Sequence, residues 1–68
     1  MFEFSVKQAI IKSKPNVTLF DCYFRYSGND WYVPINVPDS VPEGDRYETA
    51  KKNFKEFLVA LAEEAAAF

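Results

Sequence analysis

Residues 17–37 have the sequence VTLFDCYFRYSGNDWYVPINV, in which two runs rich in aromatic and β-branched residues flank Ser27-Gly28-Asn29-Asp30. Runs of this composition are typical of β-strands. Gly and Asn supply the positive φ angles that a two-residue hairpin loop requires. The sequence therefore predicts a β-hairpin with strands at 17–26 and 31–37.

The alternation of the two strands predicts their register. With a tight turn at Gly28-Asn29, one face of the hairpin is apolar throughout, whereas a shift by one residue would mix polar and apolar side chains on both faces. The predicted pairs on the apolar face are Tyr26 with Trp31, Phe24 with Val33, Cys22 with Ile35, and Phe20 with Val37.

Residues 2–12 are predicted to form a further strand, because Phe4, Val6 and Ile10 share one parity. A three-residue turn at 14–16 would put these side chains on the same apolar face as the hairpin. The result is a three-stranded antiparallel meander. An αββα fold is the alternative, since Ser5-x-x-Gln8 fits a capping box and the apolar residues that follow fit helical spacing.

The C-terminal part of the chain is predicted to be helical from Arg46, after a loop at 38–44. Asp45 is a candidate N-cap, with Glu48 three positions later. Apolar residues then recur at spacings of three and four, and this face should cover the sheet. These residues are Tyr47, Ala50, Phe54, Phe57, Leu58, Leu61 and Ala65. The expected fold is α+β, with residues 1–68 as one domain.

The sequence offers few catalytic groups. There is no histidine, the commonest general base and metal ligand. The one cysteine, Cys22, is expected to face the core, where a thiol is inert. We expect no enzyme activity, no catalytic residue, no metal site and no cofactor. The alternative is an enzyme that works through Asp21, Asp39 or Asp45 with a divalent ion.

Charge and targeting signals restrict partners and location. The net charge is −2 and the basic residues are scattered, which argues against nucleic-acid binding. Residues 1–4 do not have the basic start and apolar core typical of a signal peptide, so we expect none, and no apolar run approaches the roughly 20 residues of a membrane span. A single cysteine fits a reducing compartment. We therefore expect a cytoplasmic protein with no membrane association.

The sheet face turned away from the helix is the candidate site, and we expect it to bind a protein partner. Tyr and Arg often anchor protein interfaces. The alternatives are an ordinary exposed β face and, less favoured, a surface on which single-stranded bases stack. The candidate residues are Lys7, Ile11, Leu19, Tyr23, Arg25 and Tyr32.

The sheet edges predict self-association. Pro34 suits an edge strand because proline cannot donate to a β-ladder, which leaves the first strand as the open edge. We expect a homodimer that pairs either through edge strands, with the first strand as the preferred seam, or through the Tyr23/Tyr32 faces. Alternatively, Lys7 and Lys12 protect this edge and keep the chain monomeric.

The segment from Trp31 to Leu58 contains a short strand, a Pro-Asp loop, a Gly-Asp step and a helix with scattered small and charged residues. These features comprise Pro38-Asp39, Gly44-Asp45, Glu48, Ala50, Asn53, Lys55-Glu56 and Leu58. In these residues the segment resembles the HicB antitoxin family. The resemblance implies a partial RNase H-like fold and a small protein that neutralises a toxin.

A second resemblance is to small phage inhibitors of host RNA polymerase, which place a strand like Val33-Pro34-Ile35 just before an acidic amphipathic helix. It implies an alternative function, the inhibition of a host enzyme or defence complex by a phage or mobile-element protein.

Overall fold

A computed structural model describes residues 2–11 and 14–68 of the chain. Strands β1 (Glu3–Gln8), β2 (Val17–Tyr26) and β3 (Asn29–Pro38) form an antiparallel sheet in the order β1-β2-β3. A 3-10 turn at Glu43–Asp45 then leads into helix α1 (Arg46–Ala66). The predicted α+β meander with a C-terminal helix is confirmed. The αββα alternative is wrong, because residues 3–8 form a strand rather than a helix.

The predicted register of the β2–β3 hairpin is wrong by two residues. Phe24 lies opposite Trp31 rather than Val33, and Tyr26 lies opposite Asn29. The loop is Ser27-Gly28, with φ angles of 52° and 80°, and a type I′ turn requires positive φ at both of its central residues. A shift of two residues keeps every side chain on its predicted face, so the apolar face is unchanged.

The β1–β2 connection is longer than predicted. Phe4 pairs with Phe24 and Val6 with Cys22, so the connection covers residues 9–16 instead of a three-residue turn. Asn16 adopts the left-handed conformation, with φ 66°, which asparagine tolerates better than most residues. The predicted first strand extended to residue 12, which lies outside the described residues, but β1 already ends at Gln8.

The hydrophobic core lies between the sheet and the first half of α1. Phe20, Cys22 and Val37 contribute from the sheet, and Ala50 and Phe54 contribute from α1. All five are almost completely buried. At the hairpin end, the Phe24 ring stacks on Trp31 at 4.9 Å between centroids. It also contacts Phe54 at 6.2 Å, so the helix is fixed over this part of the sheet.

The second half of α1 is not covered by the sheet. Leu58 is half-buried, and every residue from 59 to 68 is exposed. The prediction that the whole apolar stripe packs on the sheet is therefore wrong for Phe57 and Leu61, and also for Ala65. It is also wrong for Tyr47, which is exposed in the first turn of α1. A helix of this length is about 31 Å long, whereas three strands spaced about 4.8 Å apart form a narrow sheet.

The start of α1 is fixed by Arg46 rather than by a capping box. Asp45 occupies the N-cap position but makes no capping hydrogen bond, because its φ of −104° and ψ of −5° are helical. Arg46 Nε donates to the Val41 carbonyl at 2.9 Å and Nη2 to the Asp39 carbonyl at 3.0 Å. Thr18 Oγ1 donates to Asp39 Oδ1 at 2.8 Å, which ties this loop to β2.

Candidate functional site

The outer face is the side of the sheet turned away from α1. It presents the odd-numbered side chains of β1 and β2 and the even-numbered side chains of β3, because neighbouring residues of a strand point to opposite faces. Its cross-strand rows are Glu3–Arg25–Asp30, Ser5–Tyr23–Tyr32, Lys7–Asp21–Pro34 and Ala9–Leu19–Asn36.

Two tyrosines form the centre of the outer face. Tyr23 and Tyr32 lie directly opposite each other, with ring centroids 5.2 Å apart and planes inclined by 42°. The two residues are 43% and 50% exposed. The Tyr32 hydroxyl donates to Asp21 Oδ1 at 2.8 Å, and this hydrogen bond is the main reason that the pKa of Tyr32 is raised. The pair is therefore an ordered, amphipathic contact surface.

Arg25 is already paired within the sheet. Its Nε lies 2.7 Å from Asp30 Oδ1 and its Nη2 lies 3.1 Å from Oδ2, which is the two-pronged geometry that guanidinium and carboxylate groups favour. The hydrogen bond raises the pKa of Arg25 and lowers that of Asp30. Both side chains are exposed, so a partner could still contact the guanidinium plane.

An open groove of about 600 Å³ runs beside the tyrosine pair. Lys7, Leu19 and Tyr23 line it from the sheet, and Ile11 lines it from the β1–β2 connection. Ile11 is largely exposed. The groove thus combines largely apolar walls with two charged side chains, Lys7 and Asp21, and a protruding apolar side chain of another protein would fit its chemistry.

The structure brings most of the predicted site residues together, but in two neighbouring places. Lys7, Ile11, Leu19 and Tyr23 share the groove. Arg25 instead lines a smaller depression of about 310 Å³, which Tyr23 also borders. Tyr32 contacts Tyr23 but lines neither depression, so the tyrosine pair joins the two parts of the outer face.

Asp21 and Asp30 belong to the site but were not predicted as binding residues from the sequence. Asp21 accepts the Tyr32 hydrogen bond, and Asp30 pairs with Arg25. The observed register explains both contacts, because Asp30 lies directly opposite Arg25 and Asp21 lies diagonal to Tyr32. The opposite charges of Arg25 and Asp30 were a signal that favoured this register.

The groups considered for catalysis are dispersed or buried. Cys22 has no exposed surface, and burial raises the pKa of its thiol to about 11. Among residues 2–11 and 14–68, no three His, Cys, Asp or Glu side chains are grouped so that they could hold a metal ion. Asp39 is engaged by Thr18, and Asp21 accepts from Tyr32.

Comparison with known proteins identifies no relative: no family model, no curated protein and no solved structure matches the chain. The resemblances to HicB antitoxins and to phage inhibitors therefore stay predictions. Of the helices in the described part of the chain, none is both long and apolar enough to cross a membrane.

Proposed function

We propose that this chain is a small non-enzymatic protein that neutralises a larger protein partner by binding it through the outer face. The observation that carries the proposal is the exposed Tyr23–Tyr32 pair, which Asp21 orders beside an apolar groove. Ordered aromatic side chains lose little conformational entropy on binding, and tyrosine is among the residues that dominate interface energies.

The charge of the outer face favours a protein over a nucleic acid as the partner. Three acidic side chains (Glu3, Asp21 and Asp30) lie among two basic ones (Lys7 and Arg25). Since Asp30 accepts both Arg25 hydrogen bonds, one of these two cations is already neutralised and less available to a phosphate. A partner with apolar groups for the groove and basic groups near the carboxylates is the better complement.

Two kinds of partner are consistent with this surface. The HicB-like segment from Trp31 to Leu58 supports an antitoxin that neutralises a small toxin. The alternative is a phage or mobile-element protein that inhibits a host enzyme or a defence complex, which the Val33-Pro34-Ile35 likeness supports. A partner that is itself a toxic RNA-cleaving protein would favour the antitoxin, whereas a polymerase or a nuclease complex would favour the inhibitor.

The proposal also includes a cytoplasmic location and a homodimer. The free, buried thiol of Cys22 is compatible with a reducing compartment. The homodimer is supported by the open sheet edge at β1.

Affinity capture with matched variants tests the proposal. The tagged wild type, a Tyr32→Ser variant and a Tyr47→Ser variant are each incubated with a bacterial lysate, and the retained proteins are quantified by mass spectrometry. Tyr47 is a matched control, since it is exposed to a similar degree but lies on α1. A partner should be retained by the wild type and by Tyr47→Ser, and lost from Tyr32→Ser.

The purified partner then completes the test. Its activity should fall when wild-type protein is added in stoichiometric amount and should persist with Tyr32→Ser. A partner that binds both variants equally would place the contact surface elsewhere, and a partner whose activity is unchanged would exclude neutralisation.

A further inference from the structure

The free edge of β1 has unpaired backbone groups in a defined pattern. The Ala9 N–H donates to the Leu19 carbonyl at 2.9 Å, and opposite residues of an antiparallel pair alternate between bonded and non-bonded pairs. The odd-numbered residues of β1 therefore bond to β2. Phe4, Val6 and Gln8 direct their N–H and C=O groups toward the free edge.

The other edge of the sheet is protected. The backbone groups of the odd-numbered residues of β2 bond to β1, so those of its even-numbered residues bond to the odd-numbered residues of β3. The N–H and C=O groups of the even-numbered residues of β3 therefore point toward the second edge. Pro34 lies in the middle of that row and has no N–H to donate. The β1 edge contains no proline, so it is the edge that can accept another strand.

The sequence of β1 is complementary to itself. When two copies of Glu3–Gln8 run antiparallel about a twofold axis at Ser5, Glu3 lies opposite Lys7 of the second copy, and Phe4 lies opposite Val6. In this register the even-numbered residues of one copy lie opposite the even-numbered residues of the other. Their free N–H and C=O groups can therefore bond to each other across the seam. A register shift of two residues in either direction leaves Glu3 and Lys7 with no oppositely charged residue across the seam. A shift of four residues places Glu3 opposite Glu3, or Lys7 opposite Lys7, of the second copy.

We propose that a second copy of this chain pairs along β1 in this register and extends the sheet to six strands. The inference rests on the proposed homodimer and specifies its seam. Because the twofold axis is perpendicular to the sheet, both helices lie on the same side, and the half-exposed Phe4 of each copy packs against Val6 of the other. The Tyr23–Tyr32 pair of each copy stays exposed for a foreign partner, while Lys7 at the groove pairs with Glu3 of the other copy.

Charge reversal tests the seam. Light scattering at tens of micromolar should give the wild type a molar mass of twice 7.8 kDa. Glu3→Lys and Lys7→Glu each set two like-charge pairs opposite each other, so each should raise the dimer dissociation constant about tenfold or more. An equimolar mixture of these two variants should recover the dimer, as should the double variant Glu3→Lys, Lys7→Glu. Lys55→Glu, with the same charge change on α1, is the control and should stay dimeric.

Several results would overturn the seam: a wild type that stays at 7.8 kDa, a dimer that tolerates both single reversals, or a mixture that stays monomeric. Circular dichroism of each variant shows whether a loss of mass reflects dissociation or unfolding. The Tyr32→Ser variant separates the two proposals, because it should keep the dimer mass even if it loses the foreign partner.

Discussion

The hydroxyl group of Tyr32 on β3 donates to Asp21 Oδ1 on β2 at 2.8 Å, so the most exposed ring of the tyrosine pair is fixed from the neighbouring strand. Tyr32 and Asp21 lie diagonally across the two strands, since Tyr32 is opposite Tyr23 and Asp21 is opposite Pro34. Formation of this contact therefore depends on the hairpin register that places the two residues within reach.

The hydrogen bond predicts the titration of Tyr32. Asp21 raises the pKa of Tyr32 in the folded state, so this contribution to stability is fully present below the pKa of an unfolded tyrosine and is lost as the pH rises through the folded value. Asp21→Ala, which removes the acceptor, should lower the pKa of Tyr32 toward about 10. NMR titration of the Tyr32 ring in the wild type and in this variant measures the shift. An unchanged Tyr32 titration in Asp21→Ala would refute the contact.

The Arg25–Asp30 ion pair predicts a loss of stability in acid. Arg25 lowers the pKa of Asp30, so the stabilisation is present above the pKa of an unfolded aspartate and disappears as the pH falls through the lowered value. Thermal melting between pH 7 and pH 2 should show a smaller acid-induced decrease in Tm for Asp30→Asn than for the wild type. Equal decreases would mean that the pair contributes nothing to folding.

The Ser27-Gly28 turn predicts that substitution of Gly28 destabilises the protein more than substitution of Gly44. Gly28 has φ +80°, whereas Gly44 has no positive φ, and a Cβ at either position meets no atom within 4 Å. Gly28→Ala should therefore destabilise the protein by roughly 1 kcal/mol or more through backbone strain alone. Gly44→Ala should change stability by about 0.5 kcal/mol or less. Urea unfolding measures both, and a neutral Gly28→Ala would contradict the observed turn.

The sheet covers only the first half of α1, so substitutions before and after this point should differ sharply in their effect on stability. Phe54 is 1% exposed and Phe68 is fully exposed. Phe54→Ala should cost roughly 3–5 kcal/mol of unfolding free energy, a large fraction of the stability of a domain this small. Phe68→Ala should cost about 0.5 kcal/mol or less. Comparable losses in the two variants would mean that the end of the chain packs on the sheet.

Burial of Cys22 predicts a thiol that reacts only after unfolding. Its pKa of about 11 leaves almost no thiolate near neutral pH. A thiol-specific chromogenic reagent should therefore react slowly with the native protein at pH 8 and rapidly in concentrated urea. Fast reaction of the native protein would reopen a role for Cys22 in chemistry.

The sequence was sufficient for the faces of the sheet but not for its register. The limits of β2 at Val17 and Tyr26 match the prediction, and the apolar face is the expected one. A shift of two residues leaves every side chain on the same face, so alternation cannot distinguish Ser27-Gly28 from Gly28-Asn29 as the loop. The choice depends on cross-strand pairs: the opposite charges of Arg25 and Asp30 favoured the observed register, and the stacking of Phe24 on Trp31 is a tertiary contact.

The periodicity of apolar residues could not predict how much of α1 is buried. The three-four spacing correctly identified Ala50 and Phe54 as core residues, but it continues unchanged through Phe57 and Leu61, which are exposed. Periodicity reports which side of a helix is apolar, and the size of the opposing sheet decides how much of that side is covered. In the candidate site, strand alternation was enough to predict Tyr23, Tyr32 and Leu19 as outer-face residues. The contacts of Asp21 and Asp30 could be predicted only with the correct register.

The most direct test of binding through the outer face is an NMR titration of the tyrosine side chains with the captured partner. The protein is labelled on its tyrosine rings, and the ring signals are followed as the partner is added. Tyr23 and Tyr32 lie on the outer face, while Tyr26 and Tyr47 lie outside it. If the partner binds the outer face, the signals of Tyr23 and Tyr32 should shift or broaden in a saturable way while those of Tyr26 and Tyr47 stay in place. Saturable changes confined to Tyr26 and Tyr47 would contradict binding through the outer face.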